Sequence, residues 1–327
     1  MVFLFKDKSI GSVFSLIVLA LITHVHLFFT PINIVQNEQT GFFSFWLQQY
    51  EPLLNSTFLA IVYIAVLLVQ AIRLNLILNE LRMYNISGFT TAMSYILLSS
   101  FFIEFASLSA AFLANFFIII IFKQLSKLYN DTKPKTTLFN TGLTVGIAML
   151  CYHPTSMLIL VVLFAVALIR PFNITEWLVL LMGVIMPIYL TASFLFLNDK
   201  LALITKVLPN ISINLPAQKV PISFWIGISL IAFQLIMGFN AWSIQNRRMV
   251  IQIRKNWGVM VVMVIMMLPI PFIFTKAGIT SAILYIIPLS AFIGNAYAYP
   301  RKILLPNILF FASIILVLYN NWLLIKN

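Results

Sequence analysis

Charged and chemically reactive side chains are scarce in this sequence. Of its 327 residues, 9% are charged, and there are 8 acidic residues, 3 histidines and 1 cysteine. The single cysteine, Cys151, excludes an intramolecular disulfide and a cysteine-rich metal site. Three histidines are too few for a four-histidine iron centre. We find no phosphate-binding loop, GxGxxG or GxSxG motif, so the sequence does not support soluble nucleotide or hydrolase chemistry.

Apolar residues make up most of what is present. They account for 62% of the chain, and the mean hydropathy is +1.04. One soluble core cannot hide so much apolar surface, which indicates a polytopic membrane protein. We predict an all-α transmembrane helical bundle, a single integral membrane domain over residues 1–327, with about 11 spans of roughly 20 residues each. The predicted spans are 10–30, 54–72, 88–103, 107–122, 140–153, 156–170, 177–197, 221–242, 257–275, 279–299 and 303–320.

The net charge of +12 predicts topology rather than nucleic-acid binding. If the N-terminus is cytoplasmic, 15 of the 20 lysines and arginines fall on the inner side. The remaining five are Lys200, Lys206, Lys219, Lys276 and Lys326. This asymmetry follows the positive-inside rule and predicts a multi-pass protein of the bacterial inner membrane. Attraction of the inner basic segments to anionic lipid is a compatible minor role.

Two apolar runs in the middle of the chain are too long for one crossing. Residues 88–122 contain one ionisable side chain, Glu104, set near the centre. One helix of that length would extend about 52 Å, so we predict a hairpin with Glu104 at its outer turn. Residues 140–169 follow the same pattern, with His153 and Pro154 at the midpoint. Such turns are tolerated at membrane depth only where protein or a water-filled cavity covers them.

The segment between the first two spans combines aromatic and acidic residues. The aromatic residues near 42–50 interleave with serine and glutamine, which predicts a short helix lying in the membrane interface. Glu38 precedes this helix and Glu51 follows it. His24 and His26 end the first span, and on one helix their directions would differ by about 200°, so we do not expect both to face one site. They therefore give a weak metal signal.

The order of these features resembles the N-terminal half of the lipid-linked-sugar glycosyltransferases of the GT-C superfamily. Both have a first span, a long outer loop with acids, a short hairpin with an apical acid, a basic inner turn and a glycine-containing span. The matching positions in that last span are Gly142, Gly146, Ala148, Leu150 and Pro154. The resemblance covers about residues 10–170 and leaves 171–327 as additional transmembrane helices. The whole chain also resembles an uncharacterised bacterial family of integral membrane proteins.

The resemblance implies catalysis by outer-face acids. In the superfamily an acid of the first outer loop acts as base on the acceptor hydroxyl while the sugar leaves a polyprenyl phosphate. That role would fall to Glu38, with Glu51 in reserve, and an electrostatic role to Glu104. We therefore predict Glu38 and Glu104 as catalytic residues, with no metal and no cofactor.

The resemblance also implies a set of substrate-binding residues. His153 stands where the superfamily often has a lysine, and it would meet a phosphate or a sugar hydroxyl. The complete set of predicted substrate-binding residues is His153, Glu51, His26, Lys200 and Lys206, with Lys219 as a further basic residue of the later outer loop. The sequence departs from the superfamily in its first loop, which has no paired-acid motif, and we expect no outer C-terminal domain.

Two other functions remain open at this level. The low density of buried ionisable residues suits a non-enzymatic membrane subunit or scaffold of an envelope complex, which would have a membrane-protein partner. A transporter would show broken helices in two corresponding halves. Pro187, Pro269, Pro271 and Pro288 offer breaks in the second half, without a convincing repeat. In every case we expect a lipid bilayer as environment.

Overall fold

The structure, a computed structural model, describes residues 2–30, 41–50, 55–105, 107–203, 221–299 and 304–326. Helices and turns make up these ranges, and no β-strand occurs within them. The α-helices in the described ranges are α1 Ile10–Thr23, α2 Phe42–Tyr50, α3 Ser56–Glu80, α4 Thr90–Ser99, α5 Ala110–Lys127, α6 Pro134–Cys151, α7 Leu158–Ile169, α8 Ile174–Leu197, α9 Ile222–Asn246, α10 Ile251–Met267, α11 Ile270–Ile273, α12 Ile286–Ala298 and α13 Leu304–Lys326. The prediction of an all-α protein is confirmed.

Small polar residues fix where several of these helices begin. The side chains of Ser9, Asn55, Ser109 and Asn173 each accept a hydrogen bond from a backbone N–H in the first turn of α1, α3, α5 and α8. Such caps satisfy N–H groups that have no partner inside the helix. In an apolar environment this matters more than in water, because lipid cannot supply the missing acceptor.

Seven helical segments in the described ranges are long and apolar enough to cross a membrane. They are Ser56–Glu80, Ala110–Asn130, Ile174–Leu197, Ile222–Asn246, Ile251–Ile273, Ile279–Ala298 and Leu304–Leu323. These helices suit a multi-pass integral membrane protein. The four other predicted spans are also helical, but α1, α4 and α7 have only 14, 10 and 12 residues, and α6 begins with a polar turn. Eleven crossings therefore stay a prediction.

Both predicted hairpins are present. Between α4 and α5 the chain makes a short 3-10 turn, Ile103–Phe105, which carries Glu104. Between α6 and α7 it makes another, His153–Met157, in which Pro154 stands at a first-turn position. The second half has fewer helix breaks at proline than the sequence offered. Pro187 lies inside the continuous helix α8, and Pro288 lies in the first turn of α12. Only the Pro269 region separates two helices, α10 and α11.

Helices α4 and α12 lie at the centre of the bundle. All ten residues of α4 are buried, as are twelve of the 13 residues of α12. The two helices approach closely at Gly294, where an added Cβ would stand 2.9 Å from the Cα of Thr91. On the other side of α12, Gly238 of α9 abuts the carbonyl of Phe292. Small residues at such contacts let membrane helices pack backbone to backbone.

Helices α6 and α8 form another glycine-mediated pair. Gly142 and Gly146 lie one turn apart on α6, and both face α8. A Cβ at Gly146 would stand 2.5 Å from the carbonyl oxygen of Val184 and 3.0 Å from Pro187 Cγ. Gly183 of α8 makes the reciprocal contact with the carbonyl of Phe139. Two of the glycines that carry the glycosyltransferase resemblance are thus helix-packing residues, which the small-xxx-small spacing explains.

Basic side chains hold together one end of the bundle, which we call the basic end. Arg170 donates to both carboxylate oxygens of Glu176, at 3.1 and 3.2 Å, and to the carbonyl of Leu128 at 3.0 Å. Lys255 of α10 donates to the carbonyl of Ile169 at 2.6 Å. The ammonium of Lys255 also lies 5.0 Å from the Tyr129 ring centroid. These bonds connect α5, α7, α8 and α10 where their sequences are most basic.

Candidate functional site at the Glu104 turn

Two neighbouring helices anchor the turn that carries Glu104. Tyr63 of α3 donates its hydroxyl to the carbonyl of Phe105 at 3.1 Å. Asn320 of α13 donates its amide N–H to the carbonyl of Phe101 at 2.8 Å. The backbone is therefore held on both sides of Glu104, and buried carbonyls that no helix could satisfy find donors. This arrangement places the carboxylate at a defined position at the end of the bundle opposite the basic end.

A narrow crevice runs beside Glu104, between the turn and helices α9 and α13. Its described lining residues are Phe102, Ile103, Glu104, Pro221, Ser223, Phe224 and Asn320. Ser223 and Asn320 are buried, and Glu104 is half-buried. The rings of Phe102 and Phe224 have centroids 4.9 Å apart. The crevice thus combines a carboxylate, an amide and a hydroxyl with two aromatic rings.

The Glu104 carboxylate differs from the other acids that the structure describes. Glu176 is paired with Arg170, and Glu80 lies 3.6 Å from Lys123. Asp131 accepts from the Lys133 N–H at 2.8 Å and from the Thr137 hydroxyl. The Thr137 bond, followed by the Lys133 bond, holds the pKa of Asp131 below its ordinary value of 3.8.

The two remaining described acids, Asp7 and Asp199, are exposed to solvent. Glu104 is half-buried, and no described residue lies within hydrogen-bonding or ion-pair distance of its carboxylate. An unpaired carboxylate that is partly withdrawn from water is costly unless a ligand or water satisfies it. Within the described ranges, no side chain competes with a crevice ligand for hydrogen bonds to this carboxylate.

The two histidines near this turn share one environment, contrary to the prediction from helical geometry. Helix α1 ends at Thr23, so His24 lies at the junction and His26 in the 3-10 turn Val25–Phe28, rather than both on one α-helix. Both are buried, and their ring centroids are 6.2 Å apart. His24 Nε2 lies 3.5 Å from the Tyr63 hydroxyl, which connects the pair to the Glu104 turn.

A buried polar network lies below the turn and was not predicted. Tyr95 of α4 donates to Gln70 Oε1 at 2.6 Å, and Asn115 of α5 donates to the Tyr95 oxygen at 3.2 Å. Gln70 in turn donates to the carbonyl of Phe112 at 2.9 Å. The signal was present as single polar residues inside apolar spans, which in membrane helices usually face the protein interior. The network ties together α3, α4 and α5.

None of the other predicted site residues that the structure describes lines the Glu104 crevice. His153 is buried at the start of the α6–α7 turn and does not line the described part of the Glu104 crevice. Neither does His26, and Lys200 is exposed beyond the end of α8. Four predicted residues lie outside the described ranges, namely Glu38, Glu51, Lys206 and Lys219. The helix predicted near residues 42–50 is observed as α2, whose Phe42 and Phe45 are exposed, and its position in the membrane interface stays a prediction.

The described residues contain no group of three or more His, Cys, Asp and Glu side chains that could hold a metal ion. Comparison with protein-family models, curated proteins and solved structures gives no match for this chain. The geometry of the Glu104 crevice is therefore the basis for assigning a function.

Proposed function

We propose that this chain is a multi-pass protein of the bacterial inner membrane, with its basic end in the cytoplasm and the Glu104 turn on the outer side. The excess of lysine and arginine at the basic end supports this orientation, because cytoplasmic loops carry such an excess. In this arrangement α1, α4, α6 and α7 complete eleven crossings. The short helix α4 needs no lipid contact, because protein encloses all its residues.

For the activity, we propose a GT-C-like glycosyltransferase that takes a sugar from a polyprenyl-phosphate donor in envelope glycan assembly. The observation that carries this proposal is the half-buried Glu104 carboxylate without a counter-charge among the described residues. Glu104 acts electrostatically on the bound substrate, while Glu38 removes the proton from the acceptor hydroxyl. Lys200 and His153 are assigned to the donor phosphate and sugar.

The test compares three carboxylate-to-amide variants in vesicles that contain a polyprenyl-phosphate sugar. We expect Glu38→Gln to lower the rate of transfer by about 100-fold or more, as for loss of a general base. Glu104→Gln should lower it about tenfold, as for loss of one charge-assisted contact. Asp199→Asn makes the same charge change at an exposed position and should leave the rate unchanged. Normal transfer and normal envelope glycans in both Glu38→Gln and Glu104→Gln would remove the enzyme proposal.

A second candidate function is a non-enzymatic subunit of an envelope complex. The close backbone contacts at Gly142, Gly146, Gly238 and Gly294 favour it, because they give a rigid bundle whose described crevices are narrow. Purification in mild detergent would then yield a partner in a fixed ratio. Growth and glycan assembly would depend on the presence of the chain but survive Glu38→Gln and Glu104→Gln.

A further inference from the structure

Two residues that line the Glu104 crevice carry an oxygen acceptor without a donor among the described residues. One acceptor is the Glu104 carboxylate. The other is Oδ1 of Asn320, a residue that is 2% exposed and whose amide N–H is already engaged with the carbonyl of Phe101. That bond fixes the plane of the amide, so Asn320 presents its oxygen as an acceptor. A complementary ligand must therefore bring N–H or O–H donors.

The charge and the aromatic lining narrow the choice of ligand. The carboxylate is half-buried beside the rings of Phe102 and Phe224, where a counter-charge stabilises it more than a neutral hydroxyl does. Aromatic ring faces also attract organic cations within about 6 Å of the ring centroid. A primary ammonium supplies both the positive charge and three N–H donors.

We propose that the Glu104 crevice binds a primary ammonium group, as carried by an aminophospholipid headgroup or by an amino sugar. This inference rests on the proposed function, because it makes the acceptor or the lipid substrate an amine and gives Glu104 the role of holding it. The ammonium meets Glu104 at the exposed rim of the crevice. Because Asn320 Oδ1 is buried, we infer that the half-buried Phe224 side chain moves aside when the ammonium reaches it.

The oxygen ligands of the crevice suit an ammonium better than a divalent cation. Mg²⁺ requires six and Ca²⁺ six to eight oxygen ligands in regular arrangements. The described crevice offers one carboxylate, one amide oxygen and the Ser223 hydroxyl. An ammonium has three N–H donors and needs no regular coordination geometry, so it suits this small set of oxygens better.

The experiment measures which lipids the purified full-length chain retains in native mass spectrometry. Phosphatidylethanolamine, phosphatidylcholine and phosphatidylglycerol with identical acyl chains are the probes. Phosphatidylcholine is the matched control, because its ammonium is quaternary and has no N–H donor. We expect about tenfold preferential retention of phosphatidylethanolamine, the size expected for one charge-assisted contact. Glu104→Gln should remove the preference, and Asp199→Asn should retain it.

Soluble competitors distinguish the two sources of the amine. Displacement by ethanolamine identifies a lipid headgroup, and displacement by glucosamine but not ethanolamine identifies an amino sugar. Asn320→Leu, which removes the amide oxygen, should weaken retention of phosphatidylethanolamine. If that variant fails to fold, Ser223→Ala is the milder substitution and should weaken retention as well. Equal retention of the three lipids together with no displacement by either amine would overturn the proposal, as would displacement by Mg²⁺ instead.

Two further results keep this inference separate from the proposed enzyme function. Glu104-dependent amine binding with normal sugar transfer in Glu38→Gln and Glu104→Gln would support the amine site and reject the transferase. Impaired transfer in Glu104→Gln with unchanged amine binding would reject the amine site alone. A third result would show that the counter-charge of Glu104 comes from the chain itself. In that case Lys219→Gln would destabilise the protein as much as Glu104→Gln, and amines would bind neither the parent nor the two variants. The inference would then be wrong.

Discussion

Substituting alanine for Gly146 tests whether α6 and α8 touch through their backbones. The new Cβ would stand 2.5 Å from the Val184 carbonyl oxygen, and a backbone atom cannot rotate away as a flexible side chain can. Overpacking of this kind costs about 1–3 kcal/mol. Alanine also gains about 0.5–1 kcal/mol over glycine inside a helix, so the difference spans about 0–2.5 kcal/mol. We expect a net loss near the middle of that range, about 1 kcal/mol, in the free energy of unfolding.

Two other glycines provide graded controls for this substitution. A Cβ at Gly11 of α1 would meet nothing closer than Ser9 Oγ at 3.7 Å. Gly11→Ala should therefore stabilise the protein by about 0.5–1 kcal/mol. A Cβ at Gly227 would stand 3.0 Å from a ring carbon of Phe102, which can shift, so Gly227→Ala should fall between the two.

The assay is unfolding of the purified chain in mixed micelles, followed by tryptophan fluorescence. The expected order of stability is Gly11→Ala, then Gly227→Ala, then Gly146→Ala. If Gly146→Ala is at least as stable as the parent while Gly11→Ala shows the expected gain, the backbones of α6 and α8 are not in contact. The presence of glycine at the positions that match the glycosyltransferase motif would then need an explanation other than helix packing.

Three further substitutions test the polar contacts of the bundle. Tyr95→Phe should cost about 1–3 kcal/mol, because it removes the donor to the buried Gln70 oxygen, and thermal unfolding in detergent measures this loss. Arg170→Gln should cost about 2–3 kcal/mol in the same assay, because Glu176 is nearly buried and loses a bidentate partner. Because the pKa of Asp131 is lowered in the folded state, its contribution to the free energy of unfolding is complete above about pH 4 and is lost as the pH falls through the folded-state pKa. Asp131→Asn should therefore reduce the loss of stability on acidification below about pH 4.

Each of these predictions has a matched control. The double variant Tyr95→Phe, Gln70→Leu should recover part of the loss, since it removes both partners, and additive losses would contradict the network. Lys123→Gln breaks a pair whose Glu80 side chain is 57% exposed and should cost at most about 1 kcal/mol. If Lys123→Gln lowered the free energy of unfolding as much as Arg170→Gln, burial would not explain the strength of the Arg170–Glu176 pair. Asp199→Asn should leave the acid profile unchanged.

The all-helical fold and its hairpins could be predicted because they depend on length and polarity. Glu104 lies near the middle of an apolar run, residues 88–122, that is too long for one crossing, and this was sufficient to place it at a turn. The turn at Pro154 followed from the restricted backbone of proline. Both signals are local features of the chain, so they can be recognised in a single sequence.

The neighbours of Glu104 could not be predicted, because they come from distant parts of the chain. Asn320 reaches the turn from α13, 219 positions away from the carbonyl it contacts. Nothing in the local pattern around position 104 specifies which later helix packs there. The His24 and His26 prediction was wrong for a local reason, since α1 ends one residue earlier than the pair and the helical angle no longer applies.

The central position of α4 has a consequence for how the protein is assembled. The Tyr84 hydroxyl, just before α4, donates to the carbonyl of Ala291 in α12, and the two residues are 207 positions apart. At about 5–20 residues per second, synthesis takes roughly 10–40 s to supply that acceptor. Until then Thr91, which packs against Gly294, and the rest of α4 lack their final contacts with α12. Insertion of this chain is therefore expected to need a protein surface that shelters a polar, ten-residue helix until its permanent neighbour is made.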